Sequence, residues 1–418
     1  MRPRIRLRFM LHSKLRGSAQ KVSTTRLLKA DIDDIDFSVD DMTDLPARVA
    51  RMRAVEPATW VRFAGEPALH LNTYDLVKAG FRDEVNIPGH GFYEETQQPA
   101  MGWTVQSLSG KAHHTARGLQ SPFFRRSLLP SYIASLFEPV AHELIDKFID
   151  DGEADLVAEF TKQYPPRVIM RLLDLEVSAD VNWSQLAWEM IQYGHNPDVA
   201  EAAIAEFDRR IGPILEERRR HPGNDLISAL LAAEVDGERM SDDEVFSFVR
   251  LMFPAGSDTT LLGLGNTLLA LLTHPEAMDR TVADPEHEIP WAVEEGLRWQ
   301  PSVAHLPRRS VSDDIEWNGI PIPGGTMVLL SVLSANRDPA QFSDPDRFDL
   351  ERHSQRTLTF GLATHHCLGE HFARAEMSIA LRTLLDRLPN LRLSAPEQAP
   401  LVHGSVLRGP DRLPVTFG

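Results

Sequence analysis

The stretch Leu251–Pro275 constrains this chain of 418 residues most, because its 25 residues carry one formal charge, Asp258. A helix of that length is long enough to span a bilayer. It is, however, interrupted by Pro254, Gly256 and Asn266, and the acids Asp242, Asp243 and Glu244 precede it where an anchor would show a basic cluster. A long helix through the middle of a large soluble protein explains it better, and no integral membrane anchor is expected. Trp317–Asn336 is a second uncharged run, but its two prolines and three glycines read as a turn followed by a strand, Met327–Val332. Composition agrees with a globular chain, at 42% hydrophobic and 25% charged residues.

Charge is unevenly spread. Residues 1–29 hold nine Lys or Arg and no acid, so the remainder, with 35 basic against 60 acidic groups, carries a net −25. Such a body repels phosphate backbones, which argues against nucleic-acid partners. The basic segment, residues 1–30, lacks the apolar core of a signal peptide. It reads as a flexible tail or a translation start placed too early. The single cysteine, Cys367, excludes intramolecular disulfides and fits a reducing, cytoplasmic setting.

No repeats or low-complexity linkers appear after the tail, so residues 31–418 are expected to form one domain. Trp60–Phe63 and Ala68–Leu71 flank Gly65-Glu66-Pro67 as a short hairpin. Helical periodicity covers Leu129–Gly152, Val181–Gly194, Pro197–His221, Asp242–Thr273 and Ile289–Trp299. Turns are expected at Asn318-Gly319 and Pro323-Gly324-Gly325, a loop over Arg337–His353, a last helix from near Cys367, and a closing hairpin around Gly404–Phe417. The fold class is therefore mainly α, with a minor β-sheet region.

Cys367 follows a turn-rich loop and opens a helix, where free N–H groups and the dipole favour a thiolate, the form that ligates metal. A buried inert thiol is the plain alternative. Zinc held by Cys367 with His365, His366 or His371 is another, although adjacent ligands suit a tetrahedral site poorly. Three further segments bear on the choice. Glu295 and Arg298 lie i, i+3 on one helical face, ordinarily a surface pair. Asp258 and Thr259 sit beside Pro254 and Gly256, where a helix interior is weakened and an acid is buried without evident need. His113 and Arg117 recur in one stretch with Ser121-Pro122-Phe123-Phe124, each ordinarily a solvated charge.

Taken together these residues resemble the cytochrome P-450 family, the haem-thiolate monooxygenases. The family's cysteine signature appears as Phe360, Gly361, Ala363, His365, Cys367 and Gly369, with Ala363 where the family usually has glycine. If that position is left-handed, alanine costs roughly 1–2 kcal/mol. The resemblance runs from about residue 60 to the end and implies a single large helical domain, with haem b bound non-covalently through Cys367. It implies propionate ligands at His113, Arg117, Arg309 and His365, and a supporting trio of Glu295, Arg298 and Arg347. It further implies that Thr259 hydrogen-bonds dioxygen while Asp258 relays protons. By family position the pocket draws on Met252, Phe253, Ala255, Val303 and Val406, mostly apolar, which suits a hydrophobic small molecule. Dioxygen is then the co-substrate, and electrons come from NAD(P)H through ferredoxin and ferredoxin reductase. Arg125, Arg126 and Arg374 are the expected docking cations. A peroxide-driven peroxygenase, a zinc hydrolase centred on Cys367 and a haem sensor without turnover are the competing readings.

Overall fold

The computed structural model describes residues 35–39, 41–175, 183–191, 196–353 and 356–418. The basic tail and the ends of the expected helix Val181–Gly194 lie outside these; Trp183–Ile191 is helical. The long apolar stretch forms the central helix. Ser241 opens it with a capping box: its hydroxyl accepts from the Glu244 N–H, and the Glu244 carboxylate accepts from the Ser241 N–H. The acids that argued against a membrane anchor therefore sit at the positive end of the helix dipole.

The helix runs Asp242–Phe253, widens into a π turn over Pro254–Asp258, and continues as Thr259–Thr273. Pro254 has no N–H to donate, which frees the ladder at that point. The kink expected from proline is thus a change of helical pitch. Helices Pro285–Trp299 and Glu370–Arg387 pack against the second half, with Leu297 and Met377 meeting Gly263. Gly296 permits this approach, since any Cβ there would lie 2.3 Å from the Thr267 hydroxyl oxygen. Among the described residues no helix is long and apolar enough to cross a membrane.

The main sheet has four strands in the order Ala58–Phe63, Glu66–Leu71, Met327–Ser331, His305–Arg309. The first two form the expected hairpin, joined by Ala64 and Gly65, both at positive φ. Two residues in that conformation match the right-handed twist of the strands. Asn318 and Gly319 repeat the device between Ile315–Trp317 and Ile320–Ile322.

Three expected boundaries move. The helix from Leu129 takes a π turn at Ile133–Phe137 and ends at Ile145, after which Ile149–Asp151 is a tight turn closed by left-handed Gly152. Pro285–Trp299 begins four residues before the expected Ile289; Pro290 lies inside it and, lacking an N–H, leaves the first-turn Glu286 carbonyl without its intrahelical donor. The closing hairpin is shorter, Val402–His403 against Gly409–Pro410. Pro414–Thr416 leaves it to lie between Glu153–Asp155 and Arg392–Leu393.

Candidate active site

The cysteine loop is shaped by two left-handed residues, Gly361 at φ 68° and Ala363 at φ 59°. Ala363 thus adopts the glycine conformation without being glycine, and the loop keeps its form at that strain. The Cys367 N–H donates to the Phe360 carbonyl at 2.9 Å. The Phe360 ring lies under Arg374, 4.4 Å from the guanidinium carbon. The cysteine helix starts only at Glu370, and the Gly369 N–H points at the thiol.

Cys367 is accessible to solvent, yet protein encloses its sulfur closely enough that burial raises its pKa. The Gly369 N–H, Arg117 and Arg374 oppose that rise, while Glu370 adds to it. Both properties together describe a group on the wall of an interior space. At the free thiol, desolvation outweighs the favourable N–H and the two arginines. A metal would supply the missing driving force by displacing the proton.

Ala255 is likewise exposed in the middle of the central helix, where neighbouring Phe253 is fully buried. The Thr259 hydroxyl donates to the Ala255 carbonyl at 2.7 Å. Asp258 has no hydrogen-bond or ionic partner among the described residues, and burial pushes its pKa up to about 7.

A third group of residues converges from separate elements. The rings of His113 and His365 lie 4.7 Å apart. His113 is buried, among the described residues its Nε2 has no partner, and burial together with nearby His365 and Arg117 lowers its pKa to about 4. The Arg117 guanidinium forms no hydrogen bond or ion pair among the described residues, while its carbonyl accepts from the Ser121 hydroxyl. Glu84 stands 3.5 Å from His365 Nε2, too far for a full hydrogen bond, and accepts from the Gly89 N–H at 3.0 Å. Gly89 must be glycine, because a Cβ would fall 2.4 Å from the His365 ring. Donors gathered without enough acceptors fit an anionic group, such as the carboxylates of a haem, beside a thiol fit to ligate its iron.

Arg309 is not part of this gathering. Its guanidinium binds Glu95 at 2.9 Å and the Gly325 carbonyl at 2.9 Å, with Glu66 at 3.7 Å. Successive strand residues face opposite ways, and the adjacent Arg308 turns inward to Glu84, at 3.2 Å, and to the carbonyls of Gly80 and Ile87.

The supporting trio also changes one member. Arg298 and Glu295 are buried and paired twice, both bonds at 2.7 Å. The third arginine is Arg352, whose Nε donates to Glu295 at 3.3 Å. Arg347 is exposed and contributes only its carbonyl, which accepts from Arg298 at 3.1 Å and from Arg352 at 3.3 Å. The loop turns back after Phe348, so that the Asp349 N–H also reaches Glu295, at 2.9 Å.

Of the expected pocket residues, Phe253 points elsewhere: it stacks on Trp183 and meets Phe207 edge-on. Met252 is buried in the same core. Val303 and Val406 are brought together, since Val303 bridges Leu407 and the Ala304 N–H donates to the Val406 carbonyl at 2.8 Å. Among the described residues no three His, Cys, Asp or Glu side chains are arranged to hold a metal ion, which leaves the zinc alternative without its ligand set.

Comparison with known proteins places this arrangement. The cytochrome P450 family model matches residues 195–287 and 288–412. Cytochrome P450 133B1 of Xylella fastidiosa is 38% identical over 315 residues, covering 73% of this chain and 77% of that one. The mycinamicin IV hydroxylase/epoxidase of Micromonospora griseorubida is 34% identical over 386 residues, 89% of this chain and 96% of the relative. Among solved structures, myxobacterial CYP267B1 in complex with myristic acid superposes with a TM-score of 0.82 at 30% identity, over 90% of this chain and 97% of that one. The chain belongs to the cytochrome P450 family. Its activity is that of a haem-thiolate monooxygenase, which activates dioxygen and inserts one oxygen atom into an organic substrate with electrons delivered by redox partners.

Proposed function

We propose that the cofactor is haem b, ligated by Cys367, with its propionates received by His113, Arg117 and His365, and that the substrate is a hydrophobic small molecule. The observation that carries this reading is the enclosed yet accessible Cys367 thiol beside buried donors that lack acceptors. Haem bound there would supply the activation of dioxygen and the transfer of one oxygen atom. The remaining work belongs to the chain. The Thr259 hydroxyl is committed as a donor to Ala255, so its oxygen accepts from a proton-carrying water. Asp258, with a pKa of about 7, takes and gives protons at neutral pH, as a relay must. Val303, Val406 and the exposed Ala255 line the substrate space. That relatives act on mycinamicin IV or bind myristic acid supports an apolar substrate.

Electrons would come from NAD(P)H through ferredoxin reductase and ferredoxin, in the cytoplasm. Arg125 and Arg126 are exposed and suit an acidic donor. Arg374 does not, being paired with Glu294 and Glu370 and stacked on Phe360. The decisive experiment is the absorption spectrum of the reduced protein under carbon monoxide. A haem-thiolate band is expected, and its survival in Cys367→Ala would overturn the assignment, since no second cysteine exists.

A further inference from the structure

Two fully buried histidines take no part in the site above: His70, on strand Glu66–Leu71, and His305, on strand His305–Arg309. The strand Met327–Ser331 separates theirs, and the side chains meet across it with their Nε2 atoms 2.8 Å apart. Phe37 packs on both rings. Both outer nitrogens are committed. His305 Nδ1 lies 2.8 Å from the Ser405 carbonyl, which can only accept, so that nitrogen carries its proton. His70 Nδ1 lies 2.6 Å from Asn72 Oδ1. The Asn72 amide is oriented by its Nδ2, which donates to the Glu56 carbonyl at 2.8 Å and the Thr59 hydroxyl at 2.6 Å. His70 Nδ1 is therefore also a donor.

Three links in a row, ending on an acceptor at each side, need three protons, and two neutral imidazoles bring only two. In the neutral state the central joint sets lone pair against lone pair. A metal ion does not resolve it: two nitrogens on one tetrahedral zinc, each about 2.0–2.1 Å away, stand roughly 3.3 Å apart.

We propose that the chain Asn72–His70–His305–Ser405 is a proton-operated clamp on the substrate pocket wall, closed by a third proton and open without it. This rests on the reading that Val303 and Val406 face substrate. Both hang on the joint: His305 follows Ala304, whose N–H holds the Val406 carbonyl, and Ser405 precedes Val406. Burial lowers the pKa of His70 to about 4, and that of His305 well below its usual range, where His70 and Arg408 add to the effect. Among the described residues the other neighbours are uncharged side chains: Phe37, Thr59 beyond Asn72, and Leu329 and Ser331 on the intervening strand. Arg408 itself is held by the carbonyls of Met42 and Gly404. The open form therefore dominates at neutral pH, and acid closes the clamp.

Hydrogen exchange of the segments 303–306 and 402–410, read by mass spectrometry on haem-loaded protein from pH 8 to pH 4, where His70 titrates, and corrected for intrinsic rates, tests this. Wild-type protection should rise toward acid. Asn72→Asp places a carboxylate at the outer end and should hold the third proton at pH 8, raising protection there about tenfold, the worth of one hydrogen bond. His70→Gln can donate an amide N–H across the joint and should abolish the pH dependence. The clamp is refuted if wild type and both variants share one pH profile. Should Asn72→Asp fail to load haem, a wild-type profile in His70→Gln refutes it alone. The pocket reading fails separately, if Val406→Trp leaves the spin-state response to myristic acid unchanged.

Discussion

Replacing Arg352 and Arg347 in turn by alanine separates the buried network from its sequence-based version. Glu295 is 4% exposed and accepts from Arg298 twice, from the Asp349 N–H and from Arg352. The Arg352 guanidinium also donates to the Ser343, Asp344 and Arg347 carbonyls, so it pins the loop as well as the acid. Arg352→Ala removes one long charge-assisted bond and unties those carbonyls. Hydrogen bonds to charged groups contribute about 1.5–3 kcal/mol, and the carbonyls regain water, so a loss of roughly 2–3 kcal/mol is expected. Arg347 acts through its backbone, which alanine keeps, so Arg347→Ala should stay within about 0.5 kcal/mol, as exposed substitutions do. Urea unfolding of the haem-loaded variants, followed by helical circular dichroism and by loss of the haem band, measures both. Equal losses, or a greater loss for Arg347, would refute the reasoning.

Asp258→Asn should slow oxygen-dependent turnover and remove a kinetic transition near pH 7, the value to which burial raises Asp258; an unchanged pH–rate profile contradicts the relay. The same group sets a stability trend. Its folded pKa lies above its unfolded one, so the folded state binds more protons between about pH 4 and 7, and stability falls as pH rises through that window. Asp258→Asn should therefore be more stable than wild type above pH 7 and little different near pH 4, which pH-dependent denaturation checks. Thr259→Ala should bind haem and substrate but divert electrons into peroxide, read as product formed per NAD(P)H consumed. Ala363→Gly relieves the φ of 59° and should stabilise the protein by about 0.5–1 kcal/mol, less than the full left-handed strain because glycine loosens the unfolded chain. Reduction by ferredoxin should slow with added salt and again in Arg125→Glu; indifference to both would remove that docking face.

Proximity between groups close in sequence is legible without the fold. Glu295 and Arg298 share one helical turn, and Cys367 with its loop lies in a single run. The same holds for Pro254, which opens the π turn beside Asp258 and Thr259. The structure departs from the sequence-based expectation where a strand's facing or a loop's path decides. Arg308 and Arg309 differ by one position, and one position reverses the face of a strand. Arg347 and Arg352 lie in a single loop whose reversal only the fold reveals. Family position puts Phe253 in the pocket, but Trp183 and Phe207 hold it in the packed core. The His70–His305 pair carries no local signal at all, because 235 residues separate the partners.

That separation also has a temporal meaning. Strand Glu66–Leu71 pairs in parallel with Met327–Ser331, so the sheet's second strand must wait for its third while some 250 residues are synthesised. At about 5–20 residues per second the wait lasts on the order of ten seconds or more. During it the early hairpin presents an unpaired edge, the kind of surface that invites association with other chains. The cysteine loop is made later still. Cofactor capture is therefore confined to the end of synthesis, when the sheet has closed and the central helix already stands opposite the incoming thiol.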